Sequence, residues 1–386
     1  MDVCSKDDSF DRINLFPKDE SYIDFFRRCY THLIDKIVLH DRLFYYYQDL
    51  RVRNVSIADN FIVHEFNLPS ILHSLNSTRD KQSNLHYCLW QNKNQIGNDS
   101  NEIIFIYLHT NTRALIDSLE IIELCDKMNA SLLSFDLPNH GQSECDLGID
   151  LHLELQNSIK FIHKSDILAY KNPSIFIWAR GSSTFIPVQY FLHYPNDMKR
   201  YKITSVILDS PFKTVEELVH EYVLQMKASI KYPIPSIALK VGIHILHKSI
   251  IKRLNFNPFD IKITEYIGKA TVEFPPLYII AADHDDYISV SHSEYIRDHW
   301  RNKKVEMRVF HGGHFGTRPV EVVMETIAFL TECLHSQTES EVYIEDIDSL
   351  SELPAAVITT PMTIPTIFSN TMRKSKSLSS LRNYCK

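Results

Sequence analysis

The chain has 386 residues, of which 44% are hydrophobic and 23% charged, the proportions of an ordinary globular protein with a sizeable core. Its formal net charge of -7, from 41 basic and 48 acidic residues, argues against a nucleic-acid-binding surface, which would be basic. The seven cysteines are odd in number and form no CxxC pair, so they predict reduced thiols rather than a disulfide frame or a zinc site, and no motif implies a metal or a cofactor.

Residues 1–55 are rich in aromatic and charged side chains, and the run 22–47 predicts one or two amphipathic helices in an N-terminal helical extension. The first residues are polar and lack the apolar core of a secretory leader. No stretch reaches the roughly 18 apolar residues of a membrane helix. We therefore expect a cytoplasmic protein with no transmembrane segment.

Two extended segments, 60–68 and 85–91, precede a regular alternation of strands and helices that begins near residue 103. The strands are continuous apolar runs, which are typical of strands buried on both faces. Strands that alternate with helices of this length predict an α/β fold with a doubly wound, mostly parallel sheet. The six predicted strands of this region are 102–109, 131–137, 174–178, 205–209, 276–282 and 305–310, and the main predicted helices are 114–129, 149–163, 184–193 and 320–337.

The alternation is interrupted at about 214–271, where helices and loops predict an insertion that would act as a lid. The α/β domain is thus expected to span 56–336. Residues 337–386 are first acidic, then rich in Pro, Thr and Ile, and finally basic and Ser-rich, which predicts a disordered tail. Such a tail is suited to a protein partner or to phosphorylation.

Ligands of doubly wound sheets bind beyond the carboxyl ends of the strands, so the turns that follow the strands are the candidate site. Glycine use agrees with this, because glycine is needed where φ is positive or where the backbone approaches a ligand closely. Five of the nine glycines fall on these turns: Gly141, Gly181, Gly312, Gly313 and Gly316.

Short motifs follow the strands in a definite order along the chain. They are His109-Thr110-Asn111, Asp136-x-x-Asn139-x-Gly141-x-Ser143, Asp209-Ser210-Pro211-Phe212, Ala282-x-x-Asp285-x-x-Ile288 and Gly312-Gly313-His314. No single motif is specific, but the ordered set resembles the α/β-hydrolase superfamily. Within it, the chain looks like the serine aminopeptidase (S33-like) group and its acyl-protein thioesterase and lipase relatives, over roughly residues 55–335.

The resemblance implies a catalytic triad whose members follow the chain order nucleophile, acid, base. Asp285 matches the position of the orienting carboxylate, and His314 matches the position of the base. Such a base takes the proton of the nucleophile while the carboxylate fixes its orientation.

The nucleophile position does not match the Gly-x-Ser-x-Gly pattern of the family. Counting on from the third strand of the alternating region places Gly181 at the tip of the turn, and glycine has no oxygen to attack with. A register shifted by one residue makes Ser182 the nucleophile, and a shift by two makes it Ser183.

The expected oxyanion hole also departs from the pattern. Thr110 stands where the family has glycine, next to Asn111, and the second donor would be the N–H of Ser182. A β-branched residue resists positive φ, which predicts an altered hole. We therefore expect a catalytically impaired protein, acting as a binding or scaffold module for a small acyl or peptide-like ligand. The alternative is an active esterase, thioesterase or peptidase-like serine hydrolase that uses Ser182 or Ser183 with His314 and Asp285.

Overall fold

The computed structural model describes residues 21–33, 43, 45–71, 83–96, 102–111, 113–145, 147–164, 170–228 and 234–338. The predicted tail lies, from residue 339 onward, outside the described residues, as does most of the predicted N-terminal extension before residue 45. Within the described ranges, no helix combines the length and the apolar character needed to cross a bilayer.

Eight strands form one sheet in the order β1-β2-β4-β3-β5-β6-β7-β8. Strand β2 runs antiparallel to β1 and β4, and the remaining neighbours are parallel, which confirms the predicted mostly parallel sheet. The strands are β1 Phe61–Pro69, β2 Asn84–Asn92, β3 Ile103–Leu108, β4 Ser131–Phe135, β5 Ser174–Arg180, β6 Ile203–Asp209, β7 Leu277–Ala282 and β8 Val305–Phe310.

Helices cover both faces of the sheet, as the predicted fold class requires. They are α1 Tyr22–Leu33, α2 Val55–Ala58, α3 Ile122–Lys127, α4 His152–Lys164, α5 Phe185–His193, α6 Asp197–Arg200, α7 Val215–Ala228, α8 Ser236–Leu254, α9 Ile263–Lys269, α10 Val290–His299 and α11 Val320–Thr338. The predicted helix 114–129 begins as a 3-10 helix, Leu115–Ile121, and continues as α3.

Strand β3 illustrates why the apolar runs form central strands. Ile104, Ile106 and Leu108 pack into the core on one face of the sheet. Phe105 and Tyr107 pack into the core on the other face. Successive side chains of a strand point to opposite faces, so a strand covered by helices on both sides must be apolar throughout.

The segment 214–271, which we call the lid segment, lies between β6 and β7 in the chain and contains α7, α8 and α9. Helix α1 packs against α7 and α8. At Gly242 of α8, an added Cβ would lie 2.0 Å from the Phe26 ring of α1, so the absence of a side chain is what lets the two helices approach. The N-terminal helix is thus packed on the lid segment.

The turn after β4 depends on Asp136 and Gly141. The Asp136 carboxylate accepts hydrogen bonds of 2.8 Å from the N–H groups of Leu115 and Gln142. Gly141 has φ +44°, and an added Cβ would lie 2.2 Å from that carboxylate. Both residues are therefore structural groups of the turn.

His109 ties the end of β3 to the same turn. Its ring is buried, and Nε2 accepts the Leu137 N–H at 2.9 Å. Burial, with a smaller contribution from nearby His140, lowers the pKa of His109 to about 3. The ring is therefore neutral in the folded protein at physiological pH.

We expect Gly141→Ala to lower the free energy of unfolding by at least about 2 kcal/mol, because a Cβ meets the Asp136 carboxylate and because an L-residue is strained at positive φ. Urea denaturation measures the change. Gly148→Ala is the matched control, since a Cβ there has no atom within 4 Å. Equal stability of the two variants would contradict this role of Gly141.

The depressed pKa of His109 predicts a loss of stability in acid. Above the unfolded-state pKa of about 6.5 both states are neutral and the full stability is present. As the pH falls from there toward 3, only the unfolded state takes up the proton, so the free energy of unfolding falls by about 1.4 kcal/mol per pH unit. Denaturation across this range should show a shallower slope in His109→Gln. Identical slopes would exclude His109 as the source.

Candidate active site

Asp285 and His314 form a hydrogen-bonded pair at the carboxyl end of the sheet. Asp285 lies after β7 and His314 after β8, and Asp285 Oδ2 is 2.7 Å from His314 Nδ1. The other carboxylate oxygen accepts the N–H groups of Tyr287 and Ile288 at 2.9 and 2.8 Å. Burial alone would raise the pKa of Asp285, but the hydrogen bond and charge of His314, with the two N–H groups, lower this pKa below its usual value.

Gly181 is the residue that faces His314. It begins the 3-10 turn Gly181–Thr184 directly after β5, with φ +55°. A Cβ added to Gly181 would lie 3.3 Å from His314 Nε2 and 2.8 Å from Thr110 Oγ1. His314 Nε2 itself makes no hydrogen bond with a described residue. Gly181, at the position expected for the nucleophile, therefore has no side chain that could attack a substrate.

Ser182 points toward the candidate oxyanion hole rather than toward His314. Its Oγ accepts the Asn111 N–H at 2.7 Å and lies 3.3 Å from Thr110 Oγ1. The Ser182 N–H in turn donates to Thr110 Oγ1 at 3.5 Å. Thr110, Asn111 and Ser182, the residues expected to form the hole, thus lie together. The N–H groups of Asn111 and Ser182 each donate to a side-chain oxygen. Thr110 does not adopt a positive φ, so the strain expected for a β-branched residue here is absent.

The Ser183 hydroxyl forms hydrogen bonds with backbone groups of the turn. Its Oγ accepts the Arg180 N–H at 3.1 Å and lies 2.8 Å from the carbonyl oxygen of Leu108, to which it can donate. The residue is 1% exposed. Its hydroxyl therefore joins β5 to β3 and has no hydrogen bond with His314.

Arg180 supports the turn that carries His314, a role that no sequence motif indicated. Its Nη2 donates to the carbonyl oxygens of His314 and Gly316 at 3.0 and 3.3 Å. Its Nη1 is paired with Glu120, whose carboxylate also accepts the Tyr107 hydroxyl. Burial opposes the charge of the guanidinium, but the surrounding acidic groups raise the pKa of Arg180, so it stays charged.

Arg318 contacts the same turn from a second position. Its Nε and Nη2 donate to the two oxygens of Asp209 at 2.9 and 2.5 Å. Its Nη1 donates to the Gly316 carbonyl oxygen at 2.7 Å. Asp209 belongs to one of the strand-end motifs, and this was the only sequence signal for the pair. Both partners are about 95% buried or more.

A cavity opens between these turns and the lid segment, with about 1130 Å³ of empty space including the part that is open to solvent. Its lining is mostly apolar, and its polar groups converge near Gly181. The polar lining residues are Thr110, Asn111, His140, Ser182, Ser183 and His314. The apolar ones include Leu147, Leu151, Phe185, Phe212, Val215, Leu218, Val219, Ile250, Leu254, Phe256, Ile261, Tyr287 and Phe315.

Two groups of described side chains bring potential metal-ligand atoms within 4.8 Å of one another. The first is Asp283, His284 and His311, all exposed and outside the cavity lining. Asp283 is already engaged there, since Oδ2 lies 3.1 Å from His311 Nδ1 and Oδ1 accepts the Gly312 N–H.

The second group, Glu217, Glu221 and His292, joins α7 to α10. His292 Nδ1 accepts the Lys213 N–H at 3.2 Å, so in the neutral ring Nε2 carries the proton and donates to Glu221 at 3.0 Å. A ring arranged in this way has no lone pair left for a metal. The contact is better described as a hydrogen bond between the lid segment and the core.

No family model matches the chain, and no curated protein matches it in sequence. Among solved structures, it is similar to the esterase Pf2001 of Pyrococcus furiosus in three crystal forms. The identity is 15% or 16%, the TM-score 0.50 or 0.51, and the match covers 76% or 77% of this chain and 97% or 98% of the esterase. A putative lipase from Acinetobacter baumannii is more distant, at 14% identity over 78% of this chain and all of the lipase, with a TM-score of 0.48.

Sequence identities this low show a shared fold and do not show a shared reaction. The fold that is shared with the esterase is the one described above, a mostly parallel eight-stranded sheet with helices on both faces. The likeness shows that the chain has an α/β-hydrolase fold.

Proposed function

We propose that this chain is an α/β-hydrolase-fold protein of the S33-like type that binds a small acyl ligand in its apolar cavity without hydrolysing it through a serine. The observation that carries the proposal is the residue opposite His314 Nε2, which is Gly181. Loss of the serine from a catalytic triad typically costs about 10⁶ in turnover. The acid and base alone therefore supply little hydrolysis.

The oxyanion hole supports the same conclusion. A carbonyl oxygen that becomes negative in the transition state needs N–H donors aimed at it. Here the Asn111 N–H is bonded to Ser182 Oγ, and the Ser182 N–H is directed at Thr110 Oγ1. A substrate would have to displace both side-chain acceptors, and that cost would offset the stabilisation that the donors provide.

The cavity indicates the class of ligand. Its walls are apolar, and its polar groups gather at one end, around His314 and Thr110. Such a lining fits a molecule with an apolar body and one polar end, since apolar walls supply affinity and a few polar groups fix the orientation. A fatty acid or another acyl compound has this form.

The second candidate is a serine hydrolase that uses Ser182. In its favour, the Ser182 hydroxyl lines the cavity one residue beyond the tip of the turn. Against it, the hydroxyl is committed to Asn111 and Thr110 and makes no hydrogen bond with His314 among the described residues. A general base must lie within roughly 2.6–3.2 Å of the proton that it removes.

A fluorophosphonate serine-hydrolase probe separates the two candidates. We expect the wild-type protein and Ser182→Ala to remain equally unlabelled, because no hydroxyl is activated by His314. Labelling is read by in-gel fluorescence with an active serine hydrolase as the positive control. Labelling of the wild type that Ser182→Ala abolishes would establish the second candidate instead.

Gly181→Ser alone should give little labelling, because the new Cβ would lie 2.8 Å from Thr110 Oγ1. Adding Thr110→Gly removes that contact and releases the Ser182 N–H. We therefore expect the double variant to label at least about tenfold faster than Gly181→Ser. Thr110→Gly alone is the matched control and should stay blank. Strong labelling of Gly181→Ser alone would contradict the role given to Thr110.

Binding of a fluorescent fatty acid tests the ligand class. Leu218 of α7 lines the cavity, whereas Leu224 of the same helix is 39% exposed and does not. We expect Leu218→Asp to weaken binding at least about tenfold, since it places a charge in an apolar wall. The matched control Leu224→Asp should bind as the wild type does. Absence of binding by the wild type, or equal losses in both variants, would contradict the proposal.

A further inference from the structure

The outward side of helix α8 in the lid segment exposes a row of aliphatic side chains. Ile237 is 79% exposed, Val241 53% and Ile245 58%. Residues four apart lie on the same side of a helix, so the three form one continuous row about 12 Å long at 1.5 Å per residue. No described residue covers it.

The opposite side of α8 does the packing within the lid segment. Leu246 and Ile250 are buried, and Ile250 and Leu254 line the cavity. Gly242 receives the Phe26 ring of α1. The outward row therefore adds nothing to the packing of the helix, and it exposes apolar area that a water-facing helix would ordinarily replace with polar side chains.

Two lysines extend the row toward the end of the helix. Lys248 lies three residues after Ile245, and Lys252 lies four residues after Lys248. These spacings place both lysines on the same side of the helix as the aliphatic row. Within its 19 residues α8 has four basic residues, the other two being Lys240 and Arg253, and no acidic one. This is unusual in a chain whose net charge is -7.

We propose that the outward side of α8 docks on the surface of an anionic lipid membrane. Aliphatic side chains flanked by lysines suit the boundary between lipid headgroups and acyl chains, where the apolar row is buried and the ammonium groups meet phosphates. Charge complementarity favours acidic lipid over a neutral surface. The inference rests on the outer side of α8 alone and holds whether or not the cavity binds an acyl ligand.

Vesicle co-sedimentation of the full chain tests the docking. We compare phosphatidylcholine vesicles with vesicles that also contain phosphatidylserine, at low and at physiological salt. The protein should sediment with the anionic vesicles, less so as the salt is raised, and stay in solution with the neutral ones.

Two double variants address the two halves of the row. Ile237→Asp with Ile245→Asp removes apolar contact, and Lys248→Glu with Lys252→Glu reverses the charge. Each should weaken partitioning at least about tenfold. The matched controls are Val320→Asp, at a 69% exposed position of α11, and Lys303→Glu, at an exposed loop position. Both controls should bind as the wild type does, and circular dichroism verifies that every variant is folded.

Failure of the wild type to sediment with anionic vesicles, or equal sedimentation with both kinds, overturns the proposal. So does unchanged binding in the two double variants. Light scattering in the absence of lipid gives a further outcome. A wild-type dimer that the Ile237→Asp and Ile245→Asp pair converts to monomer would assign the row to a second copy of the chain rather than to a membrane.

Discussion

The candidate site depends on two buried arginines that hold the turn after β8. Arg180 and Arg318 both donate to backbone carbonyl oxygens of that turn, at His314 and Gly316, while Asp209 engages the Arg318 guanidinium with both carboxylate oxygens. Removing one member of such a buried cluster leaves an uncompensated charge, at a cost of roughly 3–5 kcal/mol. The position of the His314 ring is therefore built into the stability of the fold and requires no nucleophile to maintain it.

This arrangement explains how the hydrogen-bonded pair Asp285 and His314 can coexist with a glycine directly after β5. Asp285 is fixed by backbone N–H groups and His314 by the arginines, so neither relies on Gly181. Thr110 occupies part of the space beside Gly181, and its hydroxyl oxygen accepts the Ser182 N–H. The Asp285–His314 pair and the hydrogen-bonded Thr110, Asn111 and Ser182 thus lie side by side without conflict.

Much of the fold could be predicted from the sequence, because the relevant signals are local. Apolar runs indicate the central strands, and counting on from the third of them places Gly181, rather than either following serine, directly after β5. The arginine cluster could not be predicted in this way, since Arg180 and Arg318 are 138 positions apart (318 − 180) and meet only through the sheet order. The hydrogen bond from Asn111 to Ser182 Oγ likewise depends on a rotamer that no spacing rule specifies.

The glycine at the crossing of α1 and α8 couples two parts of the chain mechanically. Because the Phe26 ring rests directly on the backbone at Gly242, and α1 also packs on α7, the lid segment and the N-terminal helix form one packed body. If the lid segment moved away from the cavity, either α1 would move with it or the Phe26 ring would lose its contact with Gly242. The width of the cavity is therefore linked to the position of a helix that precedes the sheet in the chain, and it depends on the N-terminal region as much as on the cavity walls.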